Sequence, residues 1–293
     1  VPKQQNLFGL ERSAPLINVA SVPQLSPFRY PGGKTWLVPY VRTWLRSLGY
    51  RPALFVEPFA GGGIVGLTVA AENLAERVLL VELDQQIAAV WRTILGGEAV
   101  WLAEQIISFD LTHENASLVL SKSPGSMREL AFQTILKNRI AHGGILAPGA
   151  GIIKDGENGK GIKSRWYPQT LKRRILGIES LNGKIEFVQG DGISVLHQHA
   201  KFRRAAFFID PPYTVDGKKA GKRLYVHNEV DHEALFTVTA SLAGKFLMSY
   251  DNADAVVGLA KKHQLATRLV AMKNTHHTEM RELLIGRNFD WLD

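Results

Sequence analysis

Ala53-Leu-Phe-Val-Glu-Pro-Phe-Ala-Gly-Gly-Gly-Ile64 is the stretch that decides the fold. Ala53–Glu57 is a short apolar run ending in a carboxylate. Pro58 and a glycine cluster follow, and Gly63–Asn73 then carries helical spacing. A strand that empties into a glycine turn and a helix start brings backbone N–H groups close to a ligand, because glycine turns tightly and carries no side chain to hold the ligand off. The alternation continues downstream: Arg77–Glu82 reads as a second apolar strand ending in a carboxylate, and Asp84–Ile94 as a helix capped by Asp84. Strand–helix alternation of this kind implies an α/β, doubly wound, mostly parallel sheet, with ligands bound beyond the carboxyl ends of the strands. No Gly-Lys-Ser/Thr follows the glycines, so this is not a triphosphate loop.

Working outward, Phe28-Arg-Tyr-Pro-Gly-Gly-Lys34 is rich in turn residues and runs into helical spacing from Thr35 to Leu45, with Thr35 placed to cap it. Residues 1–26 have no period and scattered Pro, Ser and Gln, the composition of a flexible arm. Beyond the second helix, 98–142 reads as mostly helical. Residues 143–161 hold seven glycines in nineteen positions, a density that marks a functional loop rather than core. Helix returns at Trp166–Ile175. Strands follow at Lys184–Val188, Ala205–Ile209 and Phe246–Tyr250, helices at His232–Leu242 and Ala253–His263, and two last strands near 265–271 and 280–286. The expected organisation is one domain built from 27–97 and 184–293, with an inserted helical and loop region at 98–183.

Composition narrows the function classes. Hydrophobic residues make up 45% and charged residues 21% of the 293, as in a globular chain rather than a disordered one. No apolar run reaches the roughly 18 residues that a membrane helix needs, and the first residues show no charged-then-apolar leader. A cytoplasmic protein without a membrane partner is expected. Cysteine is absent, which excludes disulfides, thiolate zinc sites and cysteine nucleophiles. His197/His199 and His276/His277 lack carboxylates at metal-ligand spacing, so no metal is expected. The net charge is +8 and unevenly placed: Lys137–Arg174 holds nine Lys and Arg against Asp155 and Glu157. Basic charge concentrated in one segment is the footprint of phosphate contact, or of a loop kept solvated by its lysines.

The most specific chemical string is Phe207-Phe-Ile-Asp-Pro-Pro-Tyr213. An apolar strand delivers Asp210 to its carboxyl end. Pro211 and Pro212 fix φ and remove two N–H donors, and an aromatic ring follows. The Asp210 carboxylate and the Pro211 carbonyl are two acceptors beside a flat ring. They match the two hydrogens of an exocyclic amine on a planar base, with Tyr213 stacking on the base face. Glu82, 25 residues past Glu57, stands where an acidic residue accepts from ribose hydroxyls. Val188-Gln-Gly-Asp191 places another carboxylate just past a strand end.

Together, Arg-Tyr-Pro-Gly-Gly-Lys34, Phe-Val-Glu-Pro-Phe-Ala-Gly-Gly-Gly63 and Asp-Pro-Pro-Tyr213, in that order, resemble the Dam-like DNA adenine-N6 methyltransferases over residues 28–290. Asn138-Arg139 is similar to the Asn-Arg that opens that family's recognition region. The resemblance implies a seven-stranded methyltransferase sheet with S-adenosylmethionine as cofactor. Tyr30, Gly32, Gly33 and Lys34 would then lie along it or at the pocket mouth. Glu57, Pro58, Phe59, Ala60, Gly61 and Gly62 would hold its methionine end, Glu82 and Leu83 its ribose, and Asp191 with Gly192 its adenine, with Asp210 close to both cofactor and target. Two positions depart from the family: Glu82 stands where Asp is common, and Gly192 where an aromatic is common.

The implied reaction is direct displacement at a sulfonium methyl, which needs no cysteine. The implied substrate is double-stranded DNA with a short adenine-containing site. Its target base is flipped out, since the amino group cannot be reached inside the duplex. Arg29, Asn138, Arg139, Lys163, Arg165, Lys172, Arg173 and Arg174 are the candidate DNA contacts, lysines to phosphates and Arg139, Arg165 or Asn138 to base edges. The resemblance implies bacterial or phage-type, nucleoid-associated activity. A homodimer is left open. So are RNA adenine-N6 transfer, DNA cytosine-N4 transfer and a catalytically inactive nucleic-acid-binding module. Cytosine C5 transfer is excluded by the missing cysteine nucleophile.

Overall fold

In the computed structural model, which describes residues 22–29, 33–147, 149–156, 159–212, 230–273 and 279–292, seven strands form a single sheet. They are β1 (Leu54–Glu57), β2 (Arg77–Glu82), β3 (Ile185–Gln189), β4 (Ala205–Ile209), β5 (Lys245–Asp251), β6 (Ala266–Lys273) and β7 (Glu279–Gly286). The order is β3-β2-β1-β4-β5-β7-β6, parallel through β5, with β7 antiparallel to both of its neighbours. Every residue of β1 and β4 is buried, which is why they read as continuous apolar runs. Alternate residues face opposite ways. Phe55, Ala206 and Phe208 join one core, while Leu54, Val56, Phe207 and Ile209 join the other. The α/β, doubly wound, mostly parallel seven-stranded arrangement expected from the alternation is the one observed.

Helices cover both faces. One face carries α1 (Val38–Ser47), α2 (Ile64–Ala71), α3 (Gln85–Thr93), α4 (Ala99–Ser108), α5 (His113–Ser121), α6 (Met127–Ile140) and α7 (Pro168–Glu179). The other carries α8 (Gly192–His199), α9 (His232–Ser241) and α10 (Asp254–Lys262). The helices of 98–183 are built into the sheet's own core: α6 packs on α3, α4 packs on α7, and Leu102, Ile135 and Ile175 are fully buried in the same core as Trp91. Within the stretch read as an arm, residues 22–26 are described, and Val22 and Ser26 are buried.

Several local expectations need correction. Thr35 does not cap α1. It begins a 3₁₀ turn, Thr35–Leu37, in which the Leu37 N–H donates to the Lys34 carbonyl at 2.9 Å. The α-helix starts only at Val38, with Pro39 in its first turn, where a missing N–H leaves no bond unmade. The Trp166–Ile175 helix instead starts at Pro168 for the same reason and runs to Glu179. The sequence pattern does not mark the α8 helix, whose cap is Asp191, the carboxylate that the resemblance assigns to the cofactor. Asp84 does cap α3, accepting from Gln86 N and Ile87 N. Among the described residues, no helix is long and apolar enough to cross a membrane.

Gly66 sets how closely α2 lies on the sheet. A Cβ there would come within 2.5 Å of Leu80 and 2.7 Å of the Glu57 carboxylate. On an exposed helix, Gly→Ala gains about 0.5–1 kcal/mol. Here the sign reverses, since overpacking costs about 1–3 kcal/mol. Gly66→Ala is therefore expected to lower the urea midpoint of unfolding; an unchanged or raised midpoint would show that the helix moves away freely.

Candidate active site

A cavity of about 450 Å³ opens at the carboxyl ends of β1, β2 and β4, where the strand order reverses direction. Open α/β sheets bind ligands at that switch point, and this volume suits a small organic ligand. Its wall takes in Glu57, Phe59, Ala60, Gly62, Gly63 and Ile64 from the first strand–helix turn. Glu82, Leu83 and Asp84 come from the second, and Asp210, Pro211 and Pro212 from the tip of β4. Gly33, Lys34 and Thr35 contribute from the segment before α1, and the rest of the wall includes Arg29, Arg139, Arg165, Tyr167 and Arg174.

The glycine turn is pinned from three sides. Gly61 and Gly63 have φ of 48° and 60°, in the region that disfavours other residues. Gly61 N donates to Glu82 Oε2 at 2.8 Å, and Trp91 Nε1 donates to the Gly61 carbonyl at 3.0 Å. A Cβ on Gly63 would stand 2.8 Å from the Trp91 ring. Glu82 Oε1 also accepts from Asp84 N at 2.8 Å, so one carboxylate ties the two turns together. Removal from water pushes the Glu82 carboxyl up to about 7. Glu57 is 4% exposed and accepts from Gly66 N at 2.7 Å. Burial, with added repulsion from Asp210, pushes its carboxyl up to about 8.

Asp210 is held by groups from two other places in the chain, one of them tied to a third. Lys34 Nζ lies 3.2 Å from Asp210 Oδ1 and 3.3 Å from Glu282 Oε1, and Ser249 Oγ donates to the same Asp210 oxygen at 2.8 Å. Lys34, Ser249 and Glu282 are all buried. Two donors on one oxygen fix the carboxylate plane at the cavity wall. Next to Ser249, Tyr250 is fully buried with its hydroxyl 3.0 Å from His232 Nδ1. Burial and the Asp210 charge hold that phenol above its usual range.

The structure thus brings Gly33, Lys34, Glu57, Phe59, Ala60, Gly62, Glu82, Leu83, Asp210, Pro211 and Pro212 to one wall, with Gly61 just behind it. Asp191 stands outside that wall. It is exposed, and its Oδ1 accepts from Ser194 N and Ser194 Oγ at 2.7 and 2.8 Å as the cap of α8. Gly192 backs onto the site: a Cβ there would meet the Pro58 carbonyl at 2.3 Å and the Phe59 ring at 3.0 Å. Tyr30, Gly32, Tyr213 and His276/His277 lie outside the described residues.

The candidate nucleic-acid contacts divide. Asn138 requires a correction. It is fully buried, its Oδ1 accepts from Arg29 N at 2.8 Å, and its Nδ2 donates to the carbonyls of Arg29 and Gly144 at 2.8 and 2.7 Å. An amide spent in this way on backbone has no edge to offer a base. Arg139 is also buried and donates to the Pro27 carbonyl, so it too cannot enter a groove of a duplex. Arg29, Arg139, Arg165 and Arg174 line the cavity. Lys163, Lys172 and Arg173 do not, and Lys163 pairs with Asp110 at 3.7 Å. Sequence reasoning passed over Ser249, Glu282 and Trp91. Only Glu282 left a signal, a lone carboxylate entering an apolar strand, Leu283-Leu-Ile.

No protein-family model matches the chain, and no curated protein matches it. Solved structures similar to it include the precorrin-6y C5,15-methyltransferase of Geobacter metallireducens (10% identity, 84% of this chain and 87% of that one, TM-score 0.35). Another is the m1A22 tRNA methyltransferase TrmK of B. subtilis (11% identity, 84% and 66%, TM-score 0.33). A third is the magnesium protoporphyrin IX methyltransferase ChlM of Synechocystis (11% identity, 86% and 81%, TM-score 0.36). At these values the likeness is one of chain path, and nothing about substrate or cofactor is taken from it.

Proposed function

We propose that the protein is an S-adenosylmethionine-dependent DNA methyltransferase that modifies the N6 amine of an adenine flipped out of the duplex. One observation carries this reading. The Asp210-Pro211-Pro212 acceptors and the glycine turn with its two strand-end carboxyls share a single cavity at the sheet's switch point. The donor set fits the cofactor. Glu57 supplies a buried carboxyl for an ammonium, Glu82 an acceptor for ribose hydroxyls, and Phe59 and Leu83 apolar surface for a flat ring. Leu83 is exposed at the cavity wall and offers apolar surface there.

When bound, S-adenosylmethionine supplies an electrophilic methyl on a sulfonium sulfur. The work of the chain is to make the amine attack it. The lone pair of adenine N6 is delocalised into the ring. The Asp210 carboxylate and the Pro211 carbonyl accept its two hydrogens and return electron density to nitrogen. These bonds strengthen as positive charge develops there, so they stabilise the transition state more than the ground state. The Asp210 carboxylate then takes the proton that the methylated amine sheds. Lys34 and Ser249 keep that carboxylate from turning away, so its geometry exists before the substrate arrives.

Loss of one preorganised partner of this kind typically costs a factor of about 10²–10³. Asp210→Ala is expected to reduce methyl transfer to DNA by at least that factor while cofactor affinity stays within a few-fold; near-normal turnover would refute the role. Transfer to RNA but not DNA would correct the substrate class. A second test uses the protonation of Glu57. With its carboxyl at about 8, the residue is neutral at pH 7, and an arriving ammonium favours the ionised form. Cofactor binding at pH 7 should therefore release a proton, and affinity should rise with pH up to about 8. Calorimetry in buffers of different ionisation heat measures the release. It should shrink strongly in Glu57→Gln, and an equal release in both proteins would remove Glu57 from the cofactor's ammonium.

A further inference from the structure

Four guanidinium groups meet at the cavity: Arg29, Arg139, Arg165 and Arg174. Arg139 is buried, and Arg29, Arg165 and Arg174 are half-buried around it. Arg139 is 5% exposed, and burial together with the charges of Arg174, Arg29 and Arg165 pushes it down to about 9. Arg29 is likewise lowered by burial and by Arg165, and Arg174 by burial and by Arg173. Among the described residues, no carboxylate forms an ion pair with Arg29, Arg139 or Arg174. Two buried nitrogens, Arg29 Nη1 and Arg139 Nε, have no hydrogen-bond partner among the described residues.

A structural role explains only part of this. Arg139 donates to the Pro27 carbonyl and Arg174 Nη1 to the Ser26 carbonyl at 3.0 Å, which ties down the segment leading to Lys34. Each guanidinium carries five N–H donors, and neutral side chains could make the same ties without gathering like charges. Buried charge left without a counter-charge is costly, and an oxyanion held by several arginines offsets that cost.

We infer that Arg29, Arg139, Arg165 and Arg174 form an oxyanion site in the same cavity as Asp210, and that its ligand is a backbone phosphate of the DNA strand carrying the flipped-out base. The anion site stands on the arginines alone; naming its ligand as DNA rests on the proposed function. A phosphate held there would anchor the extruded nucleotide by its backbone while Asp210 and Pro211 hold its amine, so affinity for a single strand would not depend on sequence.

The test is anisotropy of a labelled single-stranded oligonucleotide, run beside the same sequence with neutral methylphosphonate linkages. Calorimetric binding of S-adenosylmethionine is measured in parallel. Arg139→Gln and Arg165→Gln are each expected to weaken the phosphodiester strand about tenfold or more and to lower the salt slope by about one. Binding of the neutral strand and of the cofactor should stay within twofold. Should Arg139→Gln melt early through loss of its tie to Pro27, Arg165→Gln decides alone. Loss of cofactor affinity instead would make the anion the cofactor's carboxylate, and unchanged strand binding would reduce the arginines to tethers; either overturns the inference. The reading of Asp210 fails separately. Arginine-dependent strand binding without methyl transfer keeps the anion site and removes the amine grip, and methyl transfer with arginine-independent binding does the reverse.

Discussion

The ion network of Lys34 with Asp210 and Glu282 is the contact on which the site depends. It joins the segment before α1 to the tip of β4 and to β7, elements that are distant in sequence and meet only in the folded sheet. Asp210 is half-buried at the cavity wall, while the lysine and Glu282 that it shares the network with are buried, where an unpaired charge is costly. Shared with a lysine and a serine hydroxyl, the Asp210 carboxylate becomes a fixed acceptor. Lys34 lies between two carboxylates, so its charge is shared by the tip of β4 and by β7.

The segment that delivers Lys34 is held by a second device. Asn138 clamps both the N–H and the carbonyl of Arg29, and Gly144, at φ 78°, lets its own backbone close over that carbonyl, where a Cβ would stand 2.2 Å away. Arg139 and Arg174 hold the two residues before Phe28. The region at 98–183 is thereby more than an addition to the sheet. Its α6 and α7 helices fix the chain that carries the lysine, and their arginines form part of the cavity wall.

The opposite side of the cavity is a matter of close approach. Trp91, on α3, reaches under the glycine turn and takes the Gly61 carbonyl, while Glu82 takes the Gly61 N–H. Gly63, Gly66 and Gly192 each stand where a side chain would strike Trp91, Glu57 or Phe59. The two carboxyls at the strand tips are desolvated by this packing, and their raised affinity for protons follows from it.

Much of this was legible in the sequence, for a definable reason. Apolar runs ending in Glu57, Glu82 and Asp210, each followed by Gly or Pro, mark strand ends directly, because burial and turn chemistry act over a few residues. The doubly wound sheet, its approximate strand boundaries and the carboxylates at the strand ends were therefore readable from local pattern. What local pattern could not reveal is which polar groups are spent on the chain's own backbone. Asp191 and Asp84 have the same appearance, a carboxylate just before a helix. Asn138 and Arg139 look like readers of bases until Arg29 and Pro27 are seen to occupy them. Ser249 and Glu282 gain meaning only once β5 and β7 pair and bring them beside Lys34. The sequence by itself determined where chemistry could sit, since strand ends and turns are set by neighbours in the chain. Only the tertiary structure decided which side chains are committed to holding the fold, since hydrogen bonds and ion pairs between segments more than a hundred residues apart depend on where the sheet places them.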